Sequence, residues 1–556
     1  MTTTDAWHSH HLFLHSATED TDAFLVQGAA PLLDGLVASG RADGWFFIRY
    51  GEGGPHLRLR VRGLSAEAAA ALPGELALAA KEVPEVPGPW PSRHGEVRAV
   101  AYEPETERYG GPRALPVAEE VFAASTQAAL EALRALPGGG GSGARLTVAA
   151  DLVHTTVYAL GMDPLTGARW LRRHAAGWRW VTETELLPGA SVHTRVNTVY
   201  AAQRTALRRR AADLRERLAA GTAAPWQDRW AARVREADEL LRGLGEELRA
   251  WVWGSQLHML FNRLGITPDE ERAVCRLAAR TLLETEEPPG FFPPGHTAAD
   301  LQYLERSKFQ IGRGEDTALR TLPERPARPP AAGPELALPA DPLPEVSLGA
   351  VLAARTSMRG ALGGPMDAGT LGSLLWHSLS GSARSGEPLP DGPAPANRPY
   401  PSAGALYTAR VRLLVLDVAG VPAGTYDCQP ERRTLRPVGP APTAAEIRPL
   451  STYLSRPAAD PDWIGVEGAP VVLAVYADLG LLRSRYGLRA LRLALLESGH
   501  LTQTLLLTAA ALGLAGTPLG GFHDDLAHEL LGLDDLEQPL QYLLPLGRRP
   551  LGHPAV

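Results

Sequence analysis

Two sets of residues in this 556-residue chain have types and spacings suited to chemistry. The first begins at His56-Leu57-Arg58-Leu59-Arg60-Val61-Arg62. In an extended chain, His56, Arg58, Arg60 and Arg62 fall on one side and Leu57, Leu59 and Val61 on the other. Three guanidinium groups on one face repel one another unless an anion or carboxylates stand between them, and a guanidinium fits a carboxylate well. Solvated charge on an open sheet is the plain reading, and an anion pocket is the sharper one. The polar-aromatic stretch Tyr102–Gly111, with Glu105 and Arg108, is placed to supply partners. Far downstream, Gln256, His258, Asn262 and Arg263 end an apolar helix, and His258 and Asn262, four apart, share a face. Alone, such a group reads as structural. Beside the arginines it reads as a histidine that moves a proton while cations hold a carboxylate.

The second set lies in the last third of the chain. Arg355, Ser357 and Arg359 alternate with other residues, as on one polar face of an extended segment, and suit a phosphate or a polar ring edge. A salt-bridged surface strand is the alternative. Pro401-Ser402-Ala403-Gly404 is a tight loop whose small residues let backbone approach a flat ligand. Arg485-Tyr486-Gly487 is a polar block. Glu497, His500 and Gln503 or Thr504 interrupt an apolar helix at helical spacing, a candidate ligand wall if buried. Gly513 to Gly521 lacks both GxGxxG spacing and a P-loop lysine, which disfavours a dinucleotide fold. Gly547-Arg548 offers one more phosphate contact.

The elements that must position these residues are legible in part. Trp45–Tyr50 and His56–Arg62 form a hairpin whose dry face requires helices, because a lone hairpin is marginal. Helices are expected over 65–72 and 75–81, broken at Pro73-Gly74, and over 119–133, 144–160, 205–219, 229–262 and 272–283. A strand is expected over 96–102, and Gly138–Gly143 reads as a flexible loop. Further on, 348–354 and 367–380 read as helices, and 411–417 and 471–476 as central strands buried on both faces. Residues 489–512 form the longest helix of the last third, apolar nearly all round and therefore in the core or a dimer seam. A last strand spans 538–545.

The length calls for two or three cores. Pro323–Pro344 is dense in proline and alanine and reads as an exposed connector. The division expected is 1–314, a linker over 315–344, and 345–556. A formal charge of -7 argues against a nucleic-acid binder. Cys275 and Cys428 have no metal-site spacing. The sequence shows neither a secretion signal nor a membrane span, so a cytoplasmic location is the default. Lysine occurs only at Lys81 and Lys308, so nothing after Lys308 can use lysine as a base.

With these residues in hand, two resemblances become specific. The last third resembles the nitroreductase-like, flavin-dependent azoline dehydrogenases of the SagB type. The matching pieces are Arg355-x-Ser357-x-Arg359, Pro401-Ser402-Ala403-Gly404, Tyr486-Gly487-x-Arg489, Glu497-x-Gly499-His500-x-x-Gln503, Ala511-x-Gly513-Leu514, Gly520-Gly521 and Leu546-Gly547. The front resembles the C-terminal glutamate elimination domain of lantibiotic dehydratases. It matches in Phe47-Ile48-Arg49-Tyr50, His56-Leu57-Arg58-Leu59-Arg60, Tyr102-x-x-Glu105-x-x-Arg108-Tyr109-Gly110-Gly111, Glu120-x-Phe122 and His258-Met259-x-x-Asn262-Arg263. The fusion is similar to the bifunctional enzymes of lactazole-type thiopeptide biosynthesis.

The resemblance implies a two-unit α+β protein, with an N-terminal α/β elimination domain and a C-terminal nitroreductase-like α+β fold. The C-terminal fold would bind FMN at the interface of a homodimer and oxidise peptide thiazolines or oxazolines to azoles. The front unit would eliminate glutamate from glutamylated Ser or Thr of a ribosomally made precursor peptide. The implied partners are that peptide and the cyclodehydratase and glutamylating enzymes, without nucleic acid or membrane. For cofactor binding it implies Arg355, Ser357 and Arg359 at the phosphate or pyrimidine edge, and Pro401, Ser402, Ala403, Gly404 and Gln503 around the ring. Gly520, Gly521 and Arg548 would lie toward the phosphate. Relatives commonly carry Lys-Tyr where this chain has Arg485-Tyr486. Arginine, with a pKa of about 12.5 or higher, is a poor base, so Tyr486 is the expected base, Arg485 its support and His500 the next candidate. Arg58, Arg60, Arg108 and His258 would carry the elimination, with His258 deprotonating Cα or protonating the leaving group. The rivals are an NAD(P)H-dependent nitroreductase, a unit retained as a peptide-binding scaffold, and the related fold that closes the thiopeptide pyridine ring.

Overall fold

The structure is a computed structural model that describes residues 7–136, 142–181, 184–283, 300, 303–304, 307–308, 333–381 and 397–548. Residues 138–141 of the expected glycine loop and 315–332 of the expected linker lie outside the described residues. The chain forms two compact units, Met1–Trp178 with Thr194–Glu286, and Arg179–His193 with Glu287–Val556.

The first unit is built on a four-stranded antiparallel sheet. Its strands are Trp7–Phe13 (β1), Gly44–Tyr50 (β2), His56–Arg62 (β3) and Val97–Ala99 (β4), in the order β2-β3-β1-β4. The hairpin is as expected, but β1 pairs with β3 along its whole length and makes β3 an interior strand. The alternation in β3 then has a clear consequence. Leu57, Leu59 and Val61 enter one core with Leu12, Trp45, Phe47, and Phe24, Leu33, Leu72 and Leu76. The last four come from helices Thr18–Phe24 (α1), Ala30–Ala38 (α2) and Ala66–Ala79 (α3). Helix α3 runs through Pro73 without a break. The buried Leu72 and Leu76 on either side of the proline hold the turn whose N–H bond it removes.

The other face of the sheet is covered as well. Helix Leu115–Ala135 (α4) lies against it, with Phe46, Tyr109, Val121 and Phe122 in a second core. Helices Ser142–Ala159 (α5), Pro164–Gly177 (α6) and Gly189–Ala220 (α7) follow. The helical run expected over 229–262 is two helices, Pro225–Leu240 (α8) and Glu246–Arg263 (α9), because the chain turns at Gly243 and Gly245. Pro268–Leu283 (α10) completes the unit. Asp22 on α1 accepts from Arg49 and from Arg145, and Arg145 also donates to the Leu264 carbonyl at 2.6 Å, which pins the end of α9.

The second unit is a seven-stranded antiparallel sheet with helices on both faces. Its strands are Leu336–Ala337 (β5), Ala409–Val415 (β7), Gly424–Gln429 (β8), Thr434–Gly439 (β9), Val471–Ala477 (β11), Ala515–Gly516 (β12) and Leu540–Gly547 (β13). They run in the order β12-β13-β11-β7-β8-β9-β5. Gly360–Ala361 (β6) and Ile464–Gly465 (β10) make a separate parallel pair. The apolar strand β11 is buried throughout, and β7 nearly so, as their composition requires. Inside this sheet Asp427 accepts from Arg412 at 2.9 Å and from Arg436 at 3.2 Å, so the buried charges answer one another.

The longer helices described in this unit are Leu348–Ala354 (α11), Ala368–Leu379 (α12), Leu479–Tyr486 (α13), Ala490–Ala511 (α14) and Asp524–Leu531 (α15). Helix α14 buries Ala494, Glu497, Leu501 and Leu505 but leaves Leu491, Leu495 and Leu496 exposed, at 36%, 51% and 60%. Both cysteines are buried and free. Among the described residues, no helix is long and apolar enough to cross a membrane, and no cluster of side chains has metal-binding composition.

Candidate active sites

In the first unit the sheet turns its polar side toward α4 and α9, so the arginines do not share one environment. Arg62 pairs with Glu120 at 2.6 Å. Arg58 stays near the hairpin turn, its guanidinium 3.4 Å from the centre of the Tyr50 ring and 3.3 Å from His56 Nε2. Arg60 points inward and is 7% exposed. Its guanidinium lies 4.8 Å from the Tyr102 ring and 5.7 Å from that of Phe46, and its Nε and Nη1 have no hydrogen-bond partner.

Arg263 is fully buried nearby. Its Nε donates to Thr126 Oγ1 at 3.1 Å, its two Nη atoms have no partner, and its guanidinium faces Phe122 at 5.3 Å and Phe46 at 5.8 Å. Burial, with Arg60 adding to it, pushes Arg263 down to about 9. The neighbouring phenols supply no negative charge. Burial raises Tyr109 to about 12 and carries Tyr102 higher still. Glu105 is taken by Arg108 at 2.9 Å. Ser9, opposite Arg60 in register, also has an unpartnered hydroxyl, and Gln256 an unpartnered Oε1. This is a buried cationic cluster in which, among the described residues, unpartnered donors outnumber unpartnered acceptors. Buried charge of this kind is costly without a counter-ion.

Helix α9 carries His258 and Asn262. Its last turn is fixed on β2 by Asn262, whose Oδ1 accepts from Arg49 N at 2.8 Å while Nδ2 donates to Arg49 O at 2.9 Å. Asn262 is thereby structural. His258, one turn earlier, has Nδ1 2.8 Å from Glu271 Oε2 on α10. His174 on α6 has Nε2 2.6 Å from Glu271 Oε1, and Trp178 Nε1 donates to the same oxygen at 3.2 Å. Burial alone would raise the Glu271 carboxyl, but His258 and His174 together outweigh it and hold the group at about 2. Arg108 Nε lies 3.3 Å from Ser255 Oγ, one turn before His258 on the same helix. Arg60, Arg108 and His258 therefore converge on one region through Tyr109 and α9, while Arg58 stands toward its outer end. Sequence reasoning missed Glu271 and His174. Both sit on other helices, and the only available signal was that an active histidine needs a carboxylate to orient it.

In the second unit two groups of the expected residues are brought together. Gly404 has φ +59°, and a Cβ there would meet Tyr486 Oη at 2.5 Å and the Arg485 guanidinium carbon at 3.3 Å. The Pro401–Gly404 loop and the end of α13 are thus packed backbone to phenol. Ala405 and Tyr407 also have positive φ, 53° and 48°, so left-handed backbone is concentrated here, where it costs energy for non-glycine residues. The buried Glu497 on α14 holds the loop by accepting from Ser402 Oγ at 2.7 Å, Ala409 N at 2.7 Å and Thr408 Oγ1 at 3.3 Å. The Ser402 hydroxyl is therefore committed to the scaffold, and only backbone at Pro401, Ser402 and Ala403 remains to line a ring.

The other group lies at the β12 end of the sheet. Ser357 bridges Gly516, and Ala515 pairs with Gly547, which precedes Arg548. Alternation turns Ser357 and Arg359 outward and buries Met358, with Arg355 half-buried. Arg359 is answered by Asp462 at 3.5 Å, and Arg548 Nε lies 3.4 Å from the Pro365 carbonyl. Gly520 and Gly521 are exposed, and a Cβ at Gly521 would meet open space. Three arginines, a hydroxyl and two bare glycines fit a phosphate-bearing cofactor such as FMN. His500 and Gln503, by contrast, lie on the exposed side of α14 and do not face this core.

The fold and sites define a two-unit chain that joins an α/β unit with a buried arginine cluster and a His258–Glu271–His174 group to an α+β unit of nitroreductase type. Residues 7–282 match the lantibiotic biosynthesis dehydratase C-terminal family, and residues 352–548 match the nitroreductase family. The "Putative nitroreductase MJ1384" of Methanocaldococcus jannaschii is 30% identical over 210 residues, 37% of this chain and 92% of that protein. Through this second unit the chain belongs to the nitroreductase family. The microcin B17-processing protein McbC of Escherichia coli is 32% identical over 146 residues, 26% of this chain, and the chain spans about half, 51%, of that protein's length. Among solved structures, the pyridine synthase TbtD from thiomuracin biosynthesis aligns with a TM-score of 0.38 at 23% identity, over 50% of this chain and 97% of that one.

Proposed function

We propose that this protein is a bifunctional peptide-tailoring enzyme. Its second unit oxidises thiazolines or oxazolines to azoles with FMN, and its first unit eliminates glutamate from glutamylated Ser or Thr to leave dehydroamino acids. The observation that carries the reading is the buried pair Arg60 and Arg263, four of whose guanidinium nitrogens have no hydrogen-bond partner among the described residues. A glutamyl ester brings a carboxylate into such a site and leaves as one, so the same cations stabilise substrate and departing group. His258, backed by an ionised Glu271, moves the proton. Arg108 and Arg58 complete the cationic surround.

In the second unit Arg355, Ser357, Arg359 and Arg548 would hold the FMN phosphate or pyrimidine edge, with Gly520 and Gly521 allowing close approach. Bound FMN supplies a two-electron acceptor. Tyr486, held against Gly404, takes the azoline Cα proton, and the adjacent Arg485 guanidinium stabilises its phenolate. The exposed leucines of α14 support a homodimer through this unit, which would cover His500 and Gln503 and bring them toward a shared site. McbC, a processing protein for a ribosomal peptide, supports a peptide as substrate.

The test is mass spectrometry of a precursor peptide carrying both azolines and glutamylated serines, incubated in air with FMN-loaded protein. The expected result is loss of two hydrogens per azoline and of one glutamic acid per ester. Azole formation without elimination overturns the role given to the first unit. Elimination without oxidation overturns that given to Arg485 and Tyr486.

A further inference from the structure

Helices α6, α9 and α10, with Trp178 just past the end of α6, bring two histidines and an indole onto a single carboxylate. Glu271 is 1% exposed, with His258 on Oε2 and His174 and Trp178 on Oε1. A carboxylate that stays ionised can only accept hydrogen bonds, so the ring nitrogens facing it must carry protons. The proton of His258 is thereby on Nδ1, and the lone pair of the neutral ring is on Nε2, away from Glu271. Trp178 meets the His258 ring edge to face at 4.9 Å and limits its rotation. At Gly254, one turn before His258, a Cβ would come within 3.1 Å of His174 Nδ1, so a bare backbone lets His174 reach the carboxylate.

We propose that Glu271 is the positioning residue of the elimination site, that it makes His258 the base for Cα rather than the acid for the leaving group, and that His174 anchors it. The inference rests on the elimination reading given above. In the step it implies, His258 Nε2 takes the Cα proton and the C–H electron pair forms the new double bond. The Cβ–O bond breaks, and glutamate departs as a carboxylate with the electron pair of that Cβ–O bond. Nothing is oxidised or reduced. The imidazolium that forms has Glu271 2.8 Å from its other nitrogen. A carboxylate so placed stabilises the protonated ring and strengthens the base. Among the described residues, the charged and titratable groups around this assembly include His174 from α6, Arg108 from the 106–109 turn, and Cys275 with Arg276 along α10, and burial keeps Cys275 a neutral thiol.

The test uses the full chain and two variants, Glu271→Gln and Glu271→Asp. The first readout is the pH dependence of carbethoxylation of His258 by diethyl pyrocarbonate, followed by mass spectrometry of the peptide that contains it. The reagent attacks the neutral ring, and the His258 side chain is 20% exposed. The second readout is the rate of glutamate elimination. Glu271→Gln removes the anion 2.8 Å from Nδ1, so the pH midpoint of His258 carbethoxylation is expected to fall below that of the wild-type chain. The substitution should also reduce kcat about 100-fold, with KM changed less than about threefold. Glu271→Asp keeps the charge, so the midpoint should stay near wild type while kcat falls about tenfold. If Glu271→Gln fails to fold, the Asp variant decides alone, because a purely structural Glu271 would leave its kcat equal to wild type. An unmoved midpoint in a folded Gln variant overturns the proposal, as does a kcat within twofold of wild type. Absence of elimination by the wild-type protein overturns the elimination reading instead, and the midpoint still reports whether Glu271 governs His258.

Discussion

Replacing Arg263 with methionine should make the first unit more stable and less active at once. The guanidinium is fully buried, and its fall from 12.5 to about 9 corresponds to about 5 kcal/mol of penalty against the charged form. Methionine fills a similar volume and removes that penalty. It also removes the Nε bond to Thr126, worth about 1 kcal/mol, and the contacts with Phe122 and Phe46, worth about 1–2 kcal/mol together. The balance is a stabilisation of about 2–3 kcal/mol, or about 5–10 °C in the unfolding midpoint of a unit this size. Calorimetry of the full chain, wild type against Arg263→Met, measures it. Millimolar glutamate should raise the wild-type midpoint and leave Arg263→Met unmoved, and glutamate elimination should fall at least about 100-fold. A lower midpoint with elimination intact would refute the reasoning, since it would mean that the guanidinium is satisfied where it stands and awaits no anion.

Three further outcomes follow from the same geometry. Glu271 is held near 2 from an ordinary value of 4.5, so its stabilisation is present above about pH 4.5 and is lost as pH falls toward 2. Acid titration of the first unit should show about 3 kcal/mol of that loss, and Glu271→Gln should not. Gly404→Ala should abolish azoline oxidation and leave glutamate elimination unchanged, because its Cβ would strike Tyr486 Oη at 2.5 Å on backbone with φ +59°. The left-handed conformation alone costs about 1–2 kcal/mol, and melting of the second unit measures that part. Leu495→Glu with Leu496→Glu should convert a dimer to monomer by sedimentation and release FMN, since both leucines are exposed on α14. Retention of dimer and flavin would remove that face from the interface.

Much of the architecture was legible because local pattern dictated it. The alternation of β3, the apolar runs of β7 and β11 and the limits of α14 are consequences of side-chain period and burial, and each can be read over a few residues. The segments 355–359 and 401–404, and the pair Arg485-Tyr486, stood out by residue type, and the structure packs Gly404 against Tyr486 and bridges Ser357 to Gly516. Strand β1 was not, since Trp7-His8-Ser9-His10-His11 has no clean alternation, and only its pairing with β3 shows that it is an interior strand. The break between α8 and α9 was hidden in helix-forming sequence around Gly243 and Gly245.

The chain's own sequence determined which residues were available for chemistry, and it left no lysine after Lys308. Tertiary structure alone decided what each would do. It left Arg58 beside Tyr50 and buried Arg60 beside Arg263, although the first two are neighbours on one face of one strand. It turned Ser402 from a ligand contact into an anchor for Glu497, and it gave His258 a carboxylate from another helix. The physical reason is that a side chain's role depends on its dielectric surroundings and its hydrogen-bond partners. Both are set by elements far away in the chain, where no local period records them.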